Sequence, residues 1–168
     1  NAVLVRSVLV AGFARAFDFK FAGRTKVLDV FIDCNSGIRE DTAADISRYE
    51  RIVMYNALQA GATGKELTSL RSGTGLEFKG GVGGPTIRDC YTYGYSVGLD
   101  MGSPGSYTID GLWVDGPTDE GTGAPLNVGS VGVTFSGAAN AEPQISNSKV
   151  CAQGRGFRLD AGNYGAIL

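Results

Sequence analysis

Two carboxylates occupy the same position in two copies of a short pattern. The pattern is a small residue, an apolar residue, a variable residue and an apolar residue, and it reads Gly75-Leu76-Glu77-Phe78 and Gly98-Leu99-Asp100-Met101. In an extended strand the variable residue faces away from its apolar neighbours. Glu77 and Asp100 are therefore predicted to face solvent side by side on adjacent strands, ~4.8 Å apart. Paired carboxyl groups suit hydrolysis of a glycosidic bond, one as acid and one as nucleophile or base, so Glu77 and Asp100 are the candidate catalytic residues.

A second candidate site is aromatic. Tyr91 and Trp113, the only Trp of the chain, occupy equivalent outward positions in a stretch that precedes the first pattern. Such rings can stack on the apolar face of a sugar ring, or they can be buried in a subunit interface, where aromatic residues are enriched. The complete outward column is predicted to be Leu9, Phe31, Asn56, Tyr91, Trp113 and Lys149. Leu9 and Phe31 favour the interface, and both interpretations stay open.

Further charged and phenolic residues complete the set of candidates. We assign Arg39, which shares the column of Glu77, and Asp115 to substrate binding together with Tyr91 and Trp113. A different hypothesis is a lyase site formed by Arg88 with Tyr93 and Tyr95, in which Tyr95 is exposed and a phenol of lowered pKa acts as the base. The carboxylates can also be solvated surface groups without a catalytic role.

Several kinds of site are excluded by composition. The chain has no His, so a Ser-His triad and a His-based metal site are not available. The three cysteines, Cys34, Cys90 and Cys151, form no CxxC pair, and they are interpreted as free thiols of a protein folded in a reducing compartment. We therefore expect neither a metal nor a cofactor.

These side chains must be held by a repeating element. The first pattern occurs six times, at Ala16, Gly37, Gly75, Gly98, Gly132 and Gly156. The copy at Gly37 fits less well, because Glu40 stands in an apolar position. The preceding stretch starts at Val5, Val27, Ile52, Ile87, Ile109 and Ile145. Two insertions, near residues 58–74 and 115–131, fall at the same place in the repeat and are expected to wall a cleft across the turn that carries Asp100.

A unit of this length with two alternating stretches is typical of one solenoid turn, and stacked turns bury one continuous core. The sequence therefore predicts an all-β protein, a single-stranded right-handed parallel β-helix of about six turns, as one domain over residues 1–168. The variable positions form the predicted column Asp18, Arg39, Glu77, Asp100, Thr134 and Arg158. Asp29, Asp89 and Asn147 are predicted to shape turns, and a short helix is expected within residues 41–51.

Overall composition agrees with a folded domain. Of 168 residues 26 are Gly, 43 % are hydrophobic and only 19 % are charged, which is not the composition of a disordered chain. The net charge of −2 argues against nucleic acid as the main partner. No apolar run is long enough for a membrane span.

Two segments carry a resemblance to a known family. The stretch from Pro85-Thr86-Ile87-Arg88-Asp89-Cys90 through Gly98-Leu99-Asp100-Met101-Gly102, and that from Gln144-Ile145-Ser146-Asn147-Ser148 through Gly156-Phe157-Arg158-Leu159-Asp160, resemble turns of pectate-lyase-like β-helices. Within that group the chain is most similar to bacteriophage tailspikes. The resemblance implies a homotrimer that binds, and often cleaves, a bacterial surface polysaccharide such as a capsule or O-antigen.

The resemblance also implies a location and a reaction. A tailspike is folded in the host cytoplasm, belongs to the virion tail and acts outside the cell. The resemblance favours an endo-glycosidase over a polysaccharide lyase. The alternative that is not an enzyme is a non-catalytic fibre or adhesion module. Tailspikes usually have more turns and further parts at both ends, so the chain is expected to be a fragment of a longer one.

Overall fold

The computed structural model describes residues 2–42, 45–55, 71–81, 83–102, 105–119, 121–136 and 143–160. These residues form sixteen β-strands, and no α-helix lies among them. The strands are β1 (Ala2–Arg6), β2 (Leu9–Ala11), β3 (Arg15–Lys20), β4 (Arg24–Asp33), β5 (Ser36–Asp41), β6 (Arg48–Met54), β7 (Arg71–Lys79), β8 (Thr86–Arg88), β9 (Tyr91–Tyr93), β10 (Tyr95–Met101), β11 (Thr108–Asp110), β12 (Trp113–Asp115), β13 (Val131–Phe135), β14 (Gln144–Ser146), β15 (Lys149–Val150) and β16 (Arg155–Leu159). The predicted all-β class is confirmed.

The strands form two parallel sheets. The first sheet has ten strands in the order β14-β11-β8-β6-β9-β12-β15, with β4 paired to β6, β1 and β2. The second sheet has six strands in the order β16-β13-β10-β7-β5-β3. The chain visits the first sheet and then the second six times, and we call each such excursion a pass. The passes are β1–β3, β4–β5, β6–β7, β8–β10, β11–β13 and β14–β16, and strands pair only with strands of the neighbouring pass.

The core lies between the two sheets and is built by alternation along each strand. On the first sheet Val27, Tyr49 and Ile87 are register partners, and each is fully buried. On the second sheet Leu76 and Leu99 are paired in the same way and face them. Since inward residues of adjacent passes stack on one another, the apolar side chains form columns that run across the strands and make one cluster.

The third pass departs from the predicted register. Tyr49, not Ile52, pairs with Val27, and Ile52 pairs with Val30. The predicted start was therefore wrong by three residues, because the large aromatic Tyr49 fills an inward position that apolar patterning did not assign to it. The outward residue of this pass is Val53, which pairs with Phe31 and with Tyr91. The predicted member, Asn56, lies outside the described residues.

Two further boundaries are corrected. The expected helix within residues 41–51 is absent from the described part of that range, where β5 ends at Asp41 and β6 begins at Arg48. The first insertion is shorter than predicted, since β7 begins at Arg71 and residues 71–74 belong to a strand. Residues 56–70, which contain the rest of that insertion, lie outside the described residues. The second predicted insertion corresponds to the stretch between β12, which ends at Asp115, and β13, which begins at Val131.

Each pass bends in the first sheet at a residue with positive φ. The bend residues are Ser7, Asp29, Arg51, Asp89, Gly111 and Asn147, with φ between 47° and 70°. The left-handed region is unfavourable for most residues. Gly adopts it because it has no side chain, and Asn and Asp tolerate it because their short polar side chains can bond the local backbone. The turn role predicted for Asp29, Asp89 and Asn147 is confirmed by this backbone conformation.

The repeating glycines have a different cause, which is close approach of neighbouring passes. A Cβ on Gly98 would lie 2.3 Å from Val114 Cγ1 and 2.7 Å from the Gly132 carbonyl oxygen. A Cβ on Gly75 would meet the Gly98 carbonyl oxygen at 2.6 Å. At Gly37, Gly75, Gly98 and Gly132 the small residue that opens the pattern therefore lets consecutive passes of the second sheet stack.

Candidate functional site

The column of variable residues forms as predicted on the outer face of the second sheet. Register pairs link Asp18 to Arg39, Arg39 to Glu77, Glu77 to Asp100, Asp100 to Thr134 and Thr134 to Arg158. The sequence thus places Glu77 and Asp100 on adjacent strands correctly.

The environment of the two carboxylates differs from the expectation. Their side chains are 12 % and 11 % exposed, so the predicted solvent-facing pair is largely buried. The Lys79 ammonium lies 3.4 Å from a carboxylate oxygen of each and offsets their mutual repulsion. Arg15 Nη1 donates to Glu77 Oε2 at 2.9 Å, and Ser136 Oγ donates to Asp100 Oδ1 at 2.6 Å. Both carboxylates are thus already engaged by cationic or hydroxyl partners, and Lys79, the partner that they share, is 40 % exposed.

An interruption of a charge pattern explains why Lys79 is shared. On this face, residues two apart in one strand carry opposite charges in four passes. The pairs are Asp18–Lys20 at 4.0 Å, Arg39–Asp41 at 2.9 Å, Glu77–Lys79 at 3.4 Å and Arg158–Asp160 at 3.2 Å. In the fourth pass Asp100 is followed by Gly102 at the partner position. Because Gly102 has no charge to offer, Asp100 depends on the lysine of the preceding pass.

The candidate binding residues divide between the two sheets. Arg39 lies on the second sheet, in register with Glu77, and its guanidinium binds Asp41. Tyr91, Trp113 and Asp115 lie on the first sheet, where Trp113 pairs with Tyr91 and Asp115 pairs with Tyr93. The structure therefore brings together three of the four predicted binding residues and separates Arg39 from them.

The aromatic residues form a patch on adjacent strands of the first sheet. Tyr91 packs against Trp113 with ring centroids 5.3 Å apart, and Tyr55 packs against Tyr93 at 5.0 Å. Trp113 is 44 % exposed. The Lys149 ammonium lies 4.5 Å from the centre of the Trp113 ring, a cation–π contact. A sugar that stacks on this face of Trp113 must therefore displace Lys149.

The patch lies between the strands that lead into the two insertions. In the first sheet β9, with Tyr91 and Tyr93, is flanked by β6 and β12, which are ~10 Å apart. Residues 56–70 follow Tyr55 after β6, and the second insertion follows Asp115 after β12. The fourth pass has no insertion here and turns through Gly94, with φ 75°. The insertions thus flank the fourth pass, which is the turn that carries Asp100, but they leave the first sheet next to the tyrosines, whereas Asp100 itself lies on the second sheet.

The described part of the second insertion has its own local structure. Thr118 pairs with Pro125 in an antiparallel bridge. Asp119 Oδ1 accepts hydrogen bonds from the amides of Gly121 and Thr122. The Thr122 hydroxyl also donates to Asp119 Oδ1, at 2.8 Å. This bond first, and then the two amide bonds, lower the pKa of Asp119. Val128, 82 % exposed, is presented on the surface of this loop.

The tyrosines do not have the electrostatics of a lyase base. Burial first, then the neighbouring Tyr55 and Asp115, raise the pKa of Tyr93 to about 12. Burial likewise raises the pKa of Tyr95 to about 12, and Arg71 opposes the rise. Tyr95 is 1 % exposed, so its predicted exposure was wrong. Arg88 lies on β8 in register with Glu50 and Asp110, away from the aromatic patch.

Sequence reasoning missed a buried ionic network beside the patch. Arg71 Nη2 donates to Asp33 Oδ1 at 2.7 Å, and its Nη1 donates to the Tyr95 hydroxyl at 2.6 Å and to the Cys34 carbonyl at 2.9 Å. Both charged side chains are at most 5 % exposed. The sequence signal for this pair was a charged residue, Asp33, directly after inward Ile32, and a second one, Arg71, shortly before Gly75. The patterning had assigned Arg71 to an insertion.

Comparisons with known proteins find no match to a family model, a curated protein or a solved structure. Within the described ranges no group of three or more His, Cys, Asp or Glu side chains is placed to hold a metal ion. The same part of the chain contains no helix of the length and apolarity that a membrane crossing needs.

Proposed function

We propose that the chain is a polysaccharide-binding module of a trimeric bacteriophage tailspike, in which the six passes are turns of one right-handed parallel β-helix. The ordered pairing of each pass with its neighbours supports the β-helix. The observation that carries the binding function is the aromatic patch between the two strands that lead into insertions. Loops beside a rigid scaffold are where binding residues concentrate.

The patch offers the contacts that a saccharide uses. Trp113 and Tyr91 supply apolar ring surface with a polar atom at the edge. Lys149 and Asp115 stand beside them and provide a cation and a carboxylate for hydroxyl or acidic groups of the sugar. The ligand class is a bacterial surface polysaccharide, capsule or O-antigen.

Binding is tested by measuring the affinity of purified protein for a panel of capsule and O-antigen fragments. Trp113→Ala is expected to weaken binding about tenfold or more, which corresponds to about 1.4 kcal/mol. Phe21→Ala is the matched control, because Phe21 is also an exposed aromatic residue, 77 % exposed, but lies in the turn between β3 and β4, outside the patch. Equal affinity of the Trp113 variant and the unchanged protein for the bound glycan would contradict the proposal.

The trimer rests on the same outward column. Beside the aromatic patch, Leu9, Phe31 and Val53 follow one another across three adjacent strands and present an apolar row on the outside of the sheet. Leu9 and Val53 are 60 % and 38 % exposed. A row of this kind suits a subunit interface. Light scattering is expected to give three times the chain mass, and a stable monomer at every concentration would contradict the trimer.

Hydrolysis by Glu77 and Asp100 is a second candidate function. It is favoured by their register pairing and by the single Lys79 that contacts both. Incubation with a glycan that binds is expected to release reducing ends, and Glu77→Gln and Asp100→Asn are each expected to abolish the release. Asp18→Asn, in the same column, is the control and should keep full activity. Binding of the glycan without any product would remove hydrolysis and leave the binding function standing.

A further inference from the structure

One inward position of the second sheet carries a charge. Glu40 stands between Phe19 and Phe78 in an inward column and is 0 % exposed. A buried carboxylate among aromatic rings is costly unless polar groups satisfy it. Ser47 Oγ donates to Glu40 Oε1 at 2.7 Å, which satisfies one of the two oxygens.

Three other buried oxygens belong to this region. Glu40 Oε2, the Thr25 hydroxyl and the Tyr49 hydroxyl make no hydrogen bond of good geometry with any group in the part of the chain that the structure describes. Thr25 and Tyr49 are both 0 % exposed. Thr25 lies on β4 and Tyr49 on β6 of the first sheet, whereas Glu40 lies on β5 of the second, so the three buried side chains enter the interior from both sheets.

The groups are close enough to act on one another. Burial first, and then the charge and close approach of Glu40, raise the pKa of Tyr49 well above its ordinary value, and the nearby Thr25 hydroxyl opposes this rise. The ring of Tyr49 is fixed by edge-on packing against Phe78, with centroids 5.2 Å apart. The hydroxyl is therefore held near both oxygens, without a well-formed bond to either.

The hydrogen-bonding capacity of the three atoms selects the ligand. The two hydroxyls need an acceptor, and Glu40 Oε2 needs a donor. A metal cation supplies neither, because it would leave both hydroxyl hydrogens buried without an acceptor. A water molecule accepts from two hydroxyls and donates to the carboxylate, and three such bonds are the usual number for a buried water.

We propose that Glu40 Oε2, Thr25 Oγ1 and the Tyr49 hydroxyl form an internal binding site for one water molecule, which links the two sheets between the second and third passes. The site is independent of the proposed function, since it lies in the core and not on the aromatic patch. Because its residues are fully buried, the bound water is expected to exchange with solvent only when the passes open.

The site is tested by crystallography of the whole chain at a resolution that shows ordered solvent, with crystals grown in sodium and in rubidium salts. One peak is expected at about 2.6–3.2 Å from each of the three oxygens, without anomalous signal from rubidium. A rubidium signal at the peak would assign the site to a monovalent cation. A direct bond between Tyr49 and Glu40 with no solvent peak would equally overturn the proposal.

Solution measurements use variants that keep side-chain shape. The number of long-lived internal waters, counted by magnetic relaxation dispersion, is expected to fall by one per chain in the Thr25→Val, Tyr49→Phe double variant. Thr92→Val is the matched control, because the Thr92 hydroxyl is also buried without a partner but stands between Met54 and Val114. An unchanged count in the double variant, with the fold intact, would contradict the site.

Discussion

At the scale of the residue, Arg71 holds together parts of the chain that are far apart in sequence. Its guanidinium joins the end of β4, through Asp33 and the Cys34 carbonyl, to Tyr95 at the start of β10. The guanidinium also lies 4.8 Å from the centre of the Tyr95 ring. Arg is suited to this position because it offers several donors in a rigid plane, which Lys cannot do.

Arg71→Met is expected to lower the free energy of unfolding by about 3–5 kcal/mol, because it removes the ionic partner of the fully buried Asp33. Arg24→Met is the control, because it breaks an exposed ion pair. The Arg24 side chain is 68 % exposed and that of its partner Asp45 is 39 % exposed, so this variant should change stability by less than about 1 kcal/mol. Urea denaturation measures both. Equal losses in the two variants would show that burial of the Arg71 pair has no energetic weight.

Alkaline pH is expected to destabilise the fold through its tyrosines. Tyr93 and Tyr95 have pKa values raised to about 12, while an unfolded tyrosine ionises near about 10. Below about pH 10 the two tyrosines are protonated in both states, so stability does not change with pH through them. Between about pH 10 and pH 12 the unfolded state loses protons first, so stability falls as pH rises. The measurement is unfolding free energy against pH, alongside the phenolate absorbance of the folded protein.

Tyr93→Phe supplies the check on this pH dependence. The variant removes one of the raised groups, so its stability should fall less steeply between about pH 10 and pH 12. Phenolate absorbance that rises fully near pH 10 in the folded protein would contradict the raised pKa values.

At the scale of the element, the glycines of the second sheet control how closely passes stack. Gly98→Ala is expected to cost about 1–3 kcal/mol, because its Cβ would overlap Val114 and the Gly132 carbonyl. Gly156→Ala is the matched control at the equivalent position of the sixth pass, where a Cβ meets nothing within 4 Å among the described residues. Thermal unfolding should separate the two variants by several degrees. Comparable destabilisation of both would contradict the close-approach explanation.

The same elements show how far the sequence predicts the structure. Gly75 and Gly98 fix the register of Glu77 and Asp100, because the position of a small residue in an alternating stretch is a local property. Lys79 and Arg15 were not predicted as partners of those carboxylates, since pairing across passes depends on which side chains meet. The register of the third pass was predicted wrongly at Tyr49, because a large aromatic ring in an inward position is tolerated only where its neighbours leave space.

At the scale of the whole molecule, the strands of each pass pair only with those of neighbouring passes, so stability is approximately a sum over adjacent pairs. Most residues of β1 and β16, in the first and sixth passes, are exposed, whereas β7 and β10 together have one exposed residue. Native-state hydrogen exchange is therefore expected to be slowest for the strand amides of the third and fourth passes and faster towards the first and sixth. A single exchange rate for all strands would instead indicate one cooperative unit.

The left-handed bends also have a geometric meaning. From Ser7 to Asp29, from Asp29 to Arg51 and from Asp89 to Gly111 the bend returns after 22 residues. Each such return advances the molecule by one strand spacing, ~4.8 Å, and the loops between other bends add chain without adding length. The number of bends therefore sets how far the stacked strands extend. Deletion of one 22-residue interval is expected to shorten the stack by one strand spacing, ~4.8 Å, and to leave its cross-section unchanged.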